Sequence, residues 1–370
     1  MIIGFDAKRA FHNFSGLGNY SRLLIQSLSE LYNDNQYFLY TPKYKAHPLH
    51  YFAENKNCTI KTPHGIYSLL PSSFWRTFFM VNDINAQNVD IFHGLSGELP
   101  ISTLKMPKVV TIHDVIFMRY PEYYTIFDRK MYENKFKHAC KIADKIITIS
   151  QQTADDCIRF FDADARKIEI VYQSCDPIFW ASFKENEISK KYNLPEKFIL
   201  NIGTMEVRKN LLNLVKALKL VDEDVSLVAI GRRTSYTSQI EEYIKENNLL
   251  HRVKLMHNVP FHDFPALYAA ASVFVYPSVF EGFGIPVLEA LAVGTPVATS
   301  NVSSMPEVGG NAALYFDPYN VEDMAVQINL LLHDKATVAR LNEHRITQLD
   351  RFSIDNITRN MKEIYTSIIL

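Results

Sequence analysis

The sequence is poor in cysteine, in net charge and in long apolar runs, and each shortage excludes a class of protein. Its 370 residues include four widely spaced cysteines with no Cys-x-x-Cys pair, namely Cys58, Cys140, Cys157 and Cys175. We expect reduced thiols in a cytoplasmic protein, because a disulfide framework or a zinc site needs paired spacing. The formal net charge of −1 gives no overall attraction to nucleic acid or to an anionic membrane.

No apolar run reaches the roughly 18 residues that a membrane span needs. Residues 1–7 lack the basic start and apolar core of a signal peptide, and they predict a first strand instead. The longest apolar candidate, residues 67–81, is interrupted by Pro71, two serines and Arg76. This pattern favours a packed amphipathic helix, and contact with a membrane surface or a lipid is the alternative.

Strand-like and helix-like segments alternate along a chain whose hydrophobic content of 47% is typical of globular proteins. Such alternation predicts an α/β fold with parallel sheets. The predicted strands are residues 1–6, 37–40, 89–93, 109–113, 145–150, 168–172, 198–202, 227–231, 253–256, 273–276 and 296–299. The main predicted helices are residues 19–31, 210–221, 236–247 and 354–370.

The alternation is interrupted after residue 174 by Asp-Pro-Ile-Phe-Trp and a polar Lys-Glu-Asn-Glu stretch. We therefore place an interdomain linker at 176–195, a first domain at 1–175 and a second domain at 196–350. Both domains are predicted to be doubly wound, Rossmann-like halves that face a central cleft. Ligands of such sheets bind beyond the carboxyl ends of the strands, so the cleft is the expected site.

The most informative stretch is residues 276–297, which read YPSVFEGFGIPVLEALAVGTPV. Gly282 and Gly284 allow a close backbone approach before a helix whose N-terminal amides favour a phosphate. Glu281 and Glu289 frame this turn, and a carboxylate in the apolar segment around Glu289 is costly unless it meets a donor. Sugar hydroxyls are such donors, so the stretch predicts a site for phosphate and sugar. The alternative is that Glu289 caps a neighbouring loop while Glu281 is solvated.

A basic pair follows the predicted strand that ends at Gly203. Arg208 and Lys209 lie on the loop before the next helix, at the expected ligand edge of the second sheet. A fork-shaped guanidinium beside an ammonium suits a diphosphate and removes the need for a metal ion. The alternative is a solvated basic pair.

Two features of the first half point to the same cleft. His113 ends a buried strand and can bond a sugar hydroxyl or move a proton, unless it is a satisfied structural histidine. Gly16 and Gly18 precede a predicted helix and indicate a flexible loop near a phosphate or sugar. A nicotinamide-dependent dehydrogenase or epimerase is a weaker reading, because Ser21 stands where that fingerprint needs a third glycine.

Other catalytic patterns are absent or misplaced. Asp162-Ala-Asp164 and Asp222-Glu-Asp224 have the Asp-x-Asp spacing by which some transferases hold a metal. Both lie between a helix and the next strand, away from the expected ligand edges, so we expect chance spacing and no metal site. Gly-x-Ser-x-Gly and Gly-x-x-x-x-Gly-Lys do not occur, and a serine hydrolase or a P-loop nucleotidase is unsupported.

Glu281-Gly-Phe-Gly-Ile-Pro-Val-Leu-Glu289 resembles the Glu-x7-Glu signature of retaining family 4 glycosyltransferases, which have the GT-B fold. Four further segments extend the resemblance over nearly the whole chain: Thr299-Ser-Asn-Val-Ser-Ser-Met-Pro-Glu307, Gly16-Leu-Gly18, Thr111-Ile-His-Asp and Arg208-Lys209-Asn210. The resemblance implies hexose transfer from a nucleotide diphosphate sugar to a glycan or lipid-linked acceptor, without a cofactor. The subgroup with Gly-Thr-x-Glu-x-Arg-Lys-Asn includes mannosyl- and rhamnosyltransferases of cell-surface polysaccharide assembly, which makes GDP-mannose the leading donor.

The same resemblance assigns roles to individual residues. It implies that Glu289 binds the ribose, Glu281 the transferred sugar, and Arg208 with Lys209 the leaving diphosphate. His113 would lie near the reacting carbon. The implied donor-binding residues are Gly16, Gly18, Gly203, Arg208, Lys209, Gly231, Val259, Glu281, Gly282, Phe283, Gly284, Ile285 and Glu289, and the implied catalytic residues are His113, Glu281, Lys209 and Arg208. The last helix, 354–370, would cross back to the first domain.

One position departs from the family pattern, because Thr204 stands where many members carry an arginine. Arg208 is expected to supply that charge. The acceptor is expected at first-domain loops 10–14, 64–79 and 117–129, and the same domain is the candidate for peripheral contact with the inner face of the cytoplasmic membrane. Two other classes remain open: a GT-B-like protein that binds a sugar nucleotide or glycan without catalysis, and a metal-dependent GT-A transferase.

Overall fold

Strands and helices alternate along residues 1–181 and 185–369, which are the residues that this computed structural model describes. They form two compact units, one of Met1–Ser174 with Phe352–Leu370 and one of Cys175–Arg351. Every strand pairing in the described residues is parallel. The predicted α/β fold with parallel sheets is therefore confirmed.

The first unit contains one seven-stranded sheet. Its strands are β1 (Ile2–Asp6), β2 (Gln36–Tyr40), β3 (Cys58–Lys61), β4 (Ile91–Gly94), β5 (Lys108–Ile112), β6 (Lys145–Thr148) and β7 (Ile168–Ile170). Its helices within residues 1–174 are α1 (Lys8–His12), α2 (Gly16–Leu31), α3 (Ser72–Phe74), α4 (Met80–Ala86), α5 (Ile116–Arg119), α6 (Ile126–Ile142) and α7 (Gln151–Phe161). The strand order is β3-β2-β1-β4-β5-β6-β7.

The second unit contains one six-stranded sheet. Its helices are α8 (Glu185–Tyr192), α9 (Leu211–Ala217), α10 (Ser235–Glu246), α11 (Phe264–Ala270), α12 (Ile285–Val293), α13 (Met305–Gly309), α14 (Val321–His333) and α15 (Lys335–Asp350). Its strands are β8 (Phe198–Ile202), β9 (Ser226–Ile230), β10 (Val253–Met256), β11 (Val273–Tyr276), β12 (Val297–Ser300) and β13 (Leu314–Phe316). The strand order is β10-β9-β8-β11-β12-β13. From β8 the chain adds strands first on one side and then on the other, as in dinucleotide-binding folds.

The central strands of the second sheet are buried along their whole length. This burial explains why β8 and β11 have the bounds that their apolar runs predict. The bounds of β10 were also predicted, although it is an edge strand and mostly half-buried. The edge strands β3 and β13 were missed, since the first is short and half-buried and the second has only three residues. A strand at the edge of a sheet needs no continuous apolar run.

The residues of the predicted linker, 176–195, fall within the second unit, which begins at Cys175. Pro177–Trp180 forms a 3-10 turn, and Phe179 is fully buried with its ring centroid 5.8 Å from that of Tyr268. Residues 185–192 form α8, so most of the supposed linker is structured. Residues 182–184 of that prediction lie outside the described residues.

The last helix, α16 (Ile354–Ile369), belongs to the first unit, as the sequence predicts. Its apolar stripe buries Ile357, Met361 and Tyr365. The Tyr365 hydroxyl lies 2.6 Å from Nδ1 of His93 on β4, so the helix is joined to the sheet by a polar contact as well as by packing. Leu370, the final residue of the predicted helix, lies outside the described residues.

The single amphipathic helix predicted over residues 67–81 is wrong. The chain there forms the 3-10 turn Gly65–Leu69, the short α3, a π-helical turn at Trp75–Phe79 and the start of α4. Trp75 is buried while Leu69 is 83% exposed. Among the described residues, no helix has the length and apolar character required to span a bilayer.

Candidate active site

The carboxyl ends of β8 and β9 approach each other closely at two glycines. A Cβ on Gly231 would lie 1.8 Å from the carbonyl oxygen of Gly203, so only glycine fits there. A Cβ on Gly203 would meet its nearest neighbour, Lys209 Cδ, at 3.8 Å, which is an ordinary contact. Val259 lies half-buried in the loop that follows β10, on the same edge of the sheet. The three predicted donor-binding positions therefore follow three neighbouring strands.

The Glu281 carboxylate is the centre of a buried polar cluster just beyond β11. Its Oε1 atom accepts from Lys209 Nζ at 2.5 Å, Ser278 Oγ at 2.6 Å and Tyr276 OH at 3.0 Å. Arg208 Nη1 forms an ion pair with the same oxygen at 2.8 Å. Among the described residues, all of these partners converge on Oε1. The Glu281, Lys209 and Arg208 that the sequence singled out are thus brought together.

The cluster keeps its carboxylate ionised although it is buried. Burial alone would raise the pKa of Glu281, but attraction to Lys209 and Arg208 outweighs it and lowers the pKa to about 2. Burial lowers the pKa of the Lys209 ammonium, and attraction to Glu281 opposes this effect. Burial also works against the Arg208 charge, but attraction to Glu281 raises its pKa overall.

Arg208 is held on three sides. Nη1 donates to the carbonyl of Phe280, and Nη2 donates to Glu206 Oε1 at 2.6 Å. Asn210, which has a φ of 59°, anchors the same loop by donating from Nδ2 to the carbonyl of Pro277 at 3.1 Å. Together with the ion pair to Glu281, these contacts fix the Arg208 guanidinium at this edge of the second sheet.

The glycine turn after Glu281 is fixed by its neighbours. Gly284 has a φ of +107°, a backbone conformation that favours glycine, and a Cβ there would lie 2.4 Å from Met305 Cε. Gly284 is the N-cap of α12, which begins at Ile285 with a proline in its first turn. Ser304 Oγ donates to the carbonyls of Glu281 at 3.0 Å and Phe283 at 2.7 Å. Gly282 and Phe283 lie buried between these fixed points.

Glu289 occupies the fifth position of α12, in a different environment. Tyr268 donates its hydroxyl to Glu289 Oε2 at 2.8 Å, and no other hydrogen bond reaches this carboxyl from the described residues. Burial raises the pKa of Glu289 to about 7, with the Tyr268 hydroxyl opposing the shift. At neutral pH this carboxyl exchanges a proton readily, and a diol could supply the donors that it lacks.

In the first unit, His113 lies just beyond β5 with its side chain almost fully buried. Nε2 donates to the Leu95 carbonyl at 2.9 Å, and the ring packs edge-on against Tyr20 with centroids 4.6 Å apart. Burial lowers its pKa to about 4, so the ring is neutral at pH 7. Because a carbonyl can only accept, Nε2 carries the proton and Nδ1 remains as an acceptor.

The flexible glycine loop predicted at Gly16 and Gly18 is wrong in form, because both residues belong to the first turn of α2. A Cβ on Gly18 would lie 1.7 Å from the Asn13 carbonyl oxygen, so Gly18 is required by the packing of the chain itself. Gly16 is exposed, and a Cβ there would meet nothing within 4 Å. Gly16 is therefore the member of the pair that is open to a ligand.

Sequence reasoning missed the neutral groups that complete the site. Tyr276, Ser278 and Tyr268 are fully buried hydroxyl residues that bond the two glutamates. Tyr276 and Ser278 stand at the end of a predicted strand, directly before Glu281, and that position was a usable signal. Tyr268 lies on α11, and nothing in the sequence links it to Glu289.

Each of the two Asp-x-Asp pairs lies before a strand of its own unit, β7 for Asp162 and Asp164 and β9 for Asp222 and Asp224. Asp164 caps the turn Ala165–Lys167 and bonds Arg166, and Asp224 forms an ion pair with Lys197 at 2.5 Å. Within residues 1–181 and 185–369, no group of three or more histidine, cysteine, aspartate or glutamate side chains is arranged to hold a metal ion.

Known proteins match both units. The family model described as Glycosyltransferase Family 4 matches residues 14–178, and the one described as Glycosyl transferases group 1 matches residues 182–347. O-antigen chain mannosyltransferase B of Escherichia coli is 33% identical over 74% of this chain and 74% of its own length. O-antigen chain mannosyltransferase RfbU of Salmonella typhimurium is 27% identical over 68% of this chain and 67% of its own length. The crystal structure of Anabaena HepE in complex with UDP and glucose has a TM-score of 0.76 at 18% identity, over 99% of each chain.

These matches identify the class of protein. The fold is GT-B, and the chain is a glycosyltransferase. The chain belongs to glycosyltransferase family 4, with a group 1 glycosyltransferase region in its second unit. The resemblance that rests on the Glu281–Glu289 segment is confirmed at the level of the family.

Proposed function

We propose that this enzyme transfers mannose from GDP-mannose to a glycan or lipid-linked saccharide in cell-surface polysaccharide assembly, with retention of the anomeric configuration. Two relatives are O-antigen chain mannosyltransferases. The observation that carries the proposal is the cluster of Arg208, Lys209 and Glu281 at the carboxyl edge of the second sheet.

The cluster suits a leaving diphosphate. Negative charge develops on the diphosphate as the sugar–phosphate bond breaks, and two cations in a low-dielectric site stabilise it strongly. Glu281 keeps Lys209 and Arg208 in place before a donor arrives, at 2.5 and 2.8 Å. No metal ion and no cofactor are needed in this scheme, since the protein supplies the charge.

Glu281 acts on the transferred sugar by position rather than as a nucleophile. A carboxylate oxygen that already accepts from three donors and pairs with a guanidinium is a weak nucleophile. Retention then follows because the acceptor oxygen forms the new bond to the sugar on the face that the diphosphate leaves, while the hydroxyl proton passes to the departing phosphate oxygen. Glu289 accepts hydrogen bonds from the ribose, the backbone at Gly231 and Val259 receives the base, and His113 Nδ1 accepts from a sugar hydroxyl near the reacting carbon.

The remaining assignments complete the proposal. The glycine turn at Gly282–Ile285 and the exposed Gly16 contact the donor through backbone amides. Gly203 leaves room beside Lys209 for a phosphate. The enzyme works in the cytoplasm, with peripheral membrane contact through the first unit, and its partners are the donor and a saccharide acceptor rather than nucleic acid.

A donor panel tests this function. Purified enzyme is incubated with GDP-mannose and, as the matched control donor, UDP-glucose, with and without a mannose-containing lipid-linked acceptor. We expect acceptor-dependent release of GDP, no comparable release of UDP, and no loss of rate in EDTA. Donor binding without release from any sugar nucleotide would support a binding protein instead. Loss of activity in EDTA would contradict the metal-independent scheme.

A further inference from the structure

A chain of hydrogen bonds runs through the first unit from α16 toward the candidate site. The Tyr365 hydroxyl on α16 lies 2.6 Å from Nδ1 of His93 on β4. Nε2 of His93 lies 2.8 Å from Oγ1 of Thr111 on β5, and that oxygen lies 3.3 Å from the hydroxyl of Tyr20 on α2. The ring of Tyr20 then packs edge-on against His113, with centroids 4.6 Å apart. The chain therefore connects the last helix to the histidine of the site.

The members of this chain are buried and uncharged. Tyr365, His93 and Thr111 are fully buried, and Tyr20 is 6% exposed. Burial lowers the pKa of His93 to about 3 and raises the pKa of Tyr20 to about 12. Burial raises the pKa of Tyr365 as well. Each hydrogen bond of the chain therefore joins neutral groups that would be costly to leave unpaired.

The burial of its ends gives the chain a direction. Among the described residues, the Tyr365 hydroxyl has no hydrogen-bond partner other than His93. A Tyr365 proton that did not point at Nδ1 would be buried without an acceptor, so Tyr365 donates and Nε2 of His93 carries the ring proton. Nε2 then donates to Thr111, and Thr111 donates to Tyr20. The spare hydroxyl proton is thereby left at Tyr20, the least buried member.

Tyr20 limits how the ring of His113 can move. Nε2 of His113 donates to the Leu95 carbonyl at 2.9 Å, and its backbone carbonyl accepts from Thr153 Oγ1 at 3.2 Å. A ring that is tethered at one nitrogen can still swing about that hydrogen bond. The Tyr20 ring stands at 86° to the imidazole and packs across this swing. It therefore fixes the direction in which Nδ1 points.

We propose that Tyr365 is a positioning residue for hexose transfer. Through His93 and Thr111 it fixes Tyr20, and Tyr20 holds the ring of His113 in the orientation that presents Nδ1 to the sugar. The inference rests on the proposed function, in which that nitrogen accepts from a sugar hydroxyl. A misplacement of about 1 Å near the reacting atoms can cost about a hundredfold in rate. The expected signature is therefore a loss of kcat rather than of substrate binding.

Steady-state kinetics separate positioning from a merely structural role. Tyr365→Phe keeps the ring and removes the donor to His93, so kcat should fall about five- to tenfold, with the donor and acceptor KM within about a factor of two. Tyr37→Phe is the matched control, because Tyr37 is fully buried in the same unit and its hydroxyl donates to the Leu28 carbonyl at 2.8 Å. It should lower the thermal midpoint by a similar amount and leave kcat unchanged. Unchanged kcat in Tyr365→Phe, or an equal loss of kcat in Tyr37→Phe, would overturn the inference.

A double-mutant cycle tests whether Tyr365 acts through Tyr20. Tyr20→Phe keeps the ring against His113 and removes the hydroxyl at the end of the chain. If the chain transmits the effect, adding Tyr365→Phe to Tyr20→Phe should change kcat by less than about a factor of two. Losses of kcat that multiply would show that Tyr365 acts independently of Tyr20, and they would contradict the chain.

The orientation of His113 can also be followed without turnover. Nitrogen-detected NMR is recorded on histidine-labelled, substrate-free enzyme, and the His113 signals are assigned from His113→Gln. We expect a neutral ring protonated at Nε2, with signals that shift in Tyr365→Phe and stay in place in Tyr37→Phe. Signals that stay in place in both variants would overturn the inference. A shift in an enzyme that transfers no hexose would support the positioning and contradict only the proposed function.

Discussion

Glu281 and Glu289 are both buried and stand eight positions apart, yet the pKa values of their carboxyl groups are shifted in opposite directions. Glu281 lies among two cations and two hydroxyls, and its pKa falls to about 2. Glu289 lies inside an apolar helix with one hydroxyl donor, and its pKa rises to about 7. Burial opposes ionisation at both sites, so the number of charged partners decides which way each pKa moves.

The difference gives the two carboxyls separate tasks. Glu281 stays ionised at neutral pH, and in the proposed function it positions the cations that meet the diphosphate. Glu289 is charged only in part at neutral pH, and it needs donors from a ligand to complete its hydrogen bonds. One pKa unit corresponds to about 1.4 kcal/mol, so each shift from 4.5 is worth about 3 kcal/mol, with opposite sign.

The largest expected effect comes from removing a cation of the Glu281 cluster. Lys209→Ala leaves the diphosphate with Arg208 alone and should lower the transfer rate at least about a hundredfold. The folded structure should persist, because Arg208 still neutralises Glu281. Lys219→Ala, which changes an exposed lysine of the same unit, is the control and should retain activity. Near-normal turnover in Lys209→Ala would show that the Glu281 cluster is not part of the active site.

A second effect should appear in donor binding as the pH is changed. In the proposed function the ribose hydroxyls bind the ionised form of Glu289, so the Kd for GDP-mannose should rise about tenfold for each pH unit below about 7. GDP-mannose suits this measurement because its diphosphate is a diester that does not titrate here. His113 titrates near 4, below the range used.

Glu289→Gln is the matched variant for that titration. Its amide cannot ionise, so calorimetry should find weak GDP-mannose binding that is constant between pH 5.5 and 8. At pH 8 the loss relative to the native enzyme should be about 10- to 100-fold, the value of a hydrogen bond to a charged acceptor. An unchanged Kd in this variant would place the ribose elsewhere.

The two glutamates should change the pH dependence of folding stability in opposite directions. The folded pKa of Glu281 is depressed, so its contribution is present above pH 4.5 and is lost as the pH falls toward 2. Glu281→Gln should therefore destabilise the protein by about 1–3 kcal/mol at pH 7, and this deficit should shrink at lower pH.

Glu289 has the opposite linkage. Its folded pKa is raised, so the native protein is favoured below pH 4.5 and loses stability as the pH rises through about 7. Glu289→Gln should match the native thermal midpoint at pH 4.5 and exceed it at pH 8. The comparison would be contradicted if the thermal midpoints of Glu281→Gln and Glu289→Gln shifted in parallel between these pH values.

The smallest effect is expected from Tyr276→Phe. This change removes one of the hydroxyl donors to Glu281 Oε1 and keeps Lys209, Arg208 and Ser278 in place. A neutral hydrogen bond contributes about 1 kcal/mol, so the transfer rate should fall less than about tenfold. A loss of transfer rate as large as that of Lys209→Ala would show that the Tyr276 hydroxyl contributes as much to catalysis as the cation.

The charged residues of the site could be predicted from the sequence because they follow strands whose carboxyl ends meet at one edge. Glu281, Lys209 and Arg208 are of this kind, and the structure joins them. The contact of Tyr268 with Glu289 depends on how α11 packs on α12, which no local pattern records. The pKa of either glutamate was equally out of reach, since it depends on these partners.

Buried apolar runs predicted strand bounds well, and the two strands that were missed are short edge strands. β8 and β11 match their runs, whereas β3 has no apolar run and β13 has only three residues. The start of α2 was placed too late because Gly16 and Gly18 suggest a loop, although Ser15 before them is a common N-cap residue. Proline and polar residues suggest a linker at this segment, but Pro177–Trp180 forms a turn because the ring of Phe179 is buried.

Carbon-detected NMR of the enzyme labelled at glutamate carboxyl groups tests the comparison most directly. The two signals are assigned from Glu281→Gln and Glu289→Gln and followed from pH 8 to pH 4.5. We expect the Glu289 signal to titrate with a midpoint near pH 7 and the Glu281 signal to stay at its ionised position throughout. Midpoints near the ordinary glutamate value for both, or a titration of Glu281 above that of Glu289, would contradict the account.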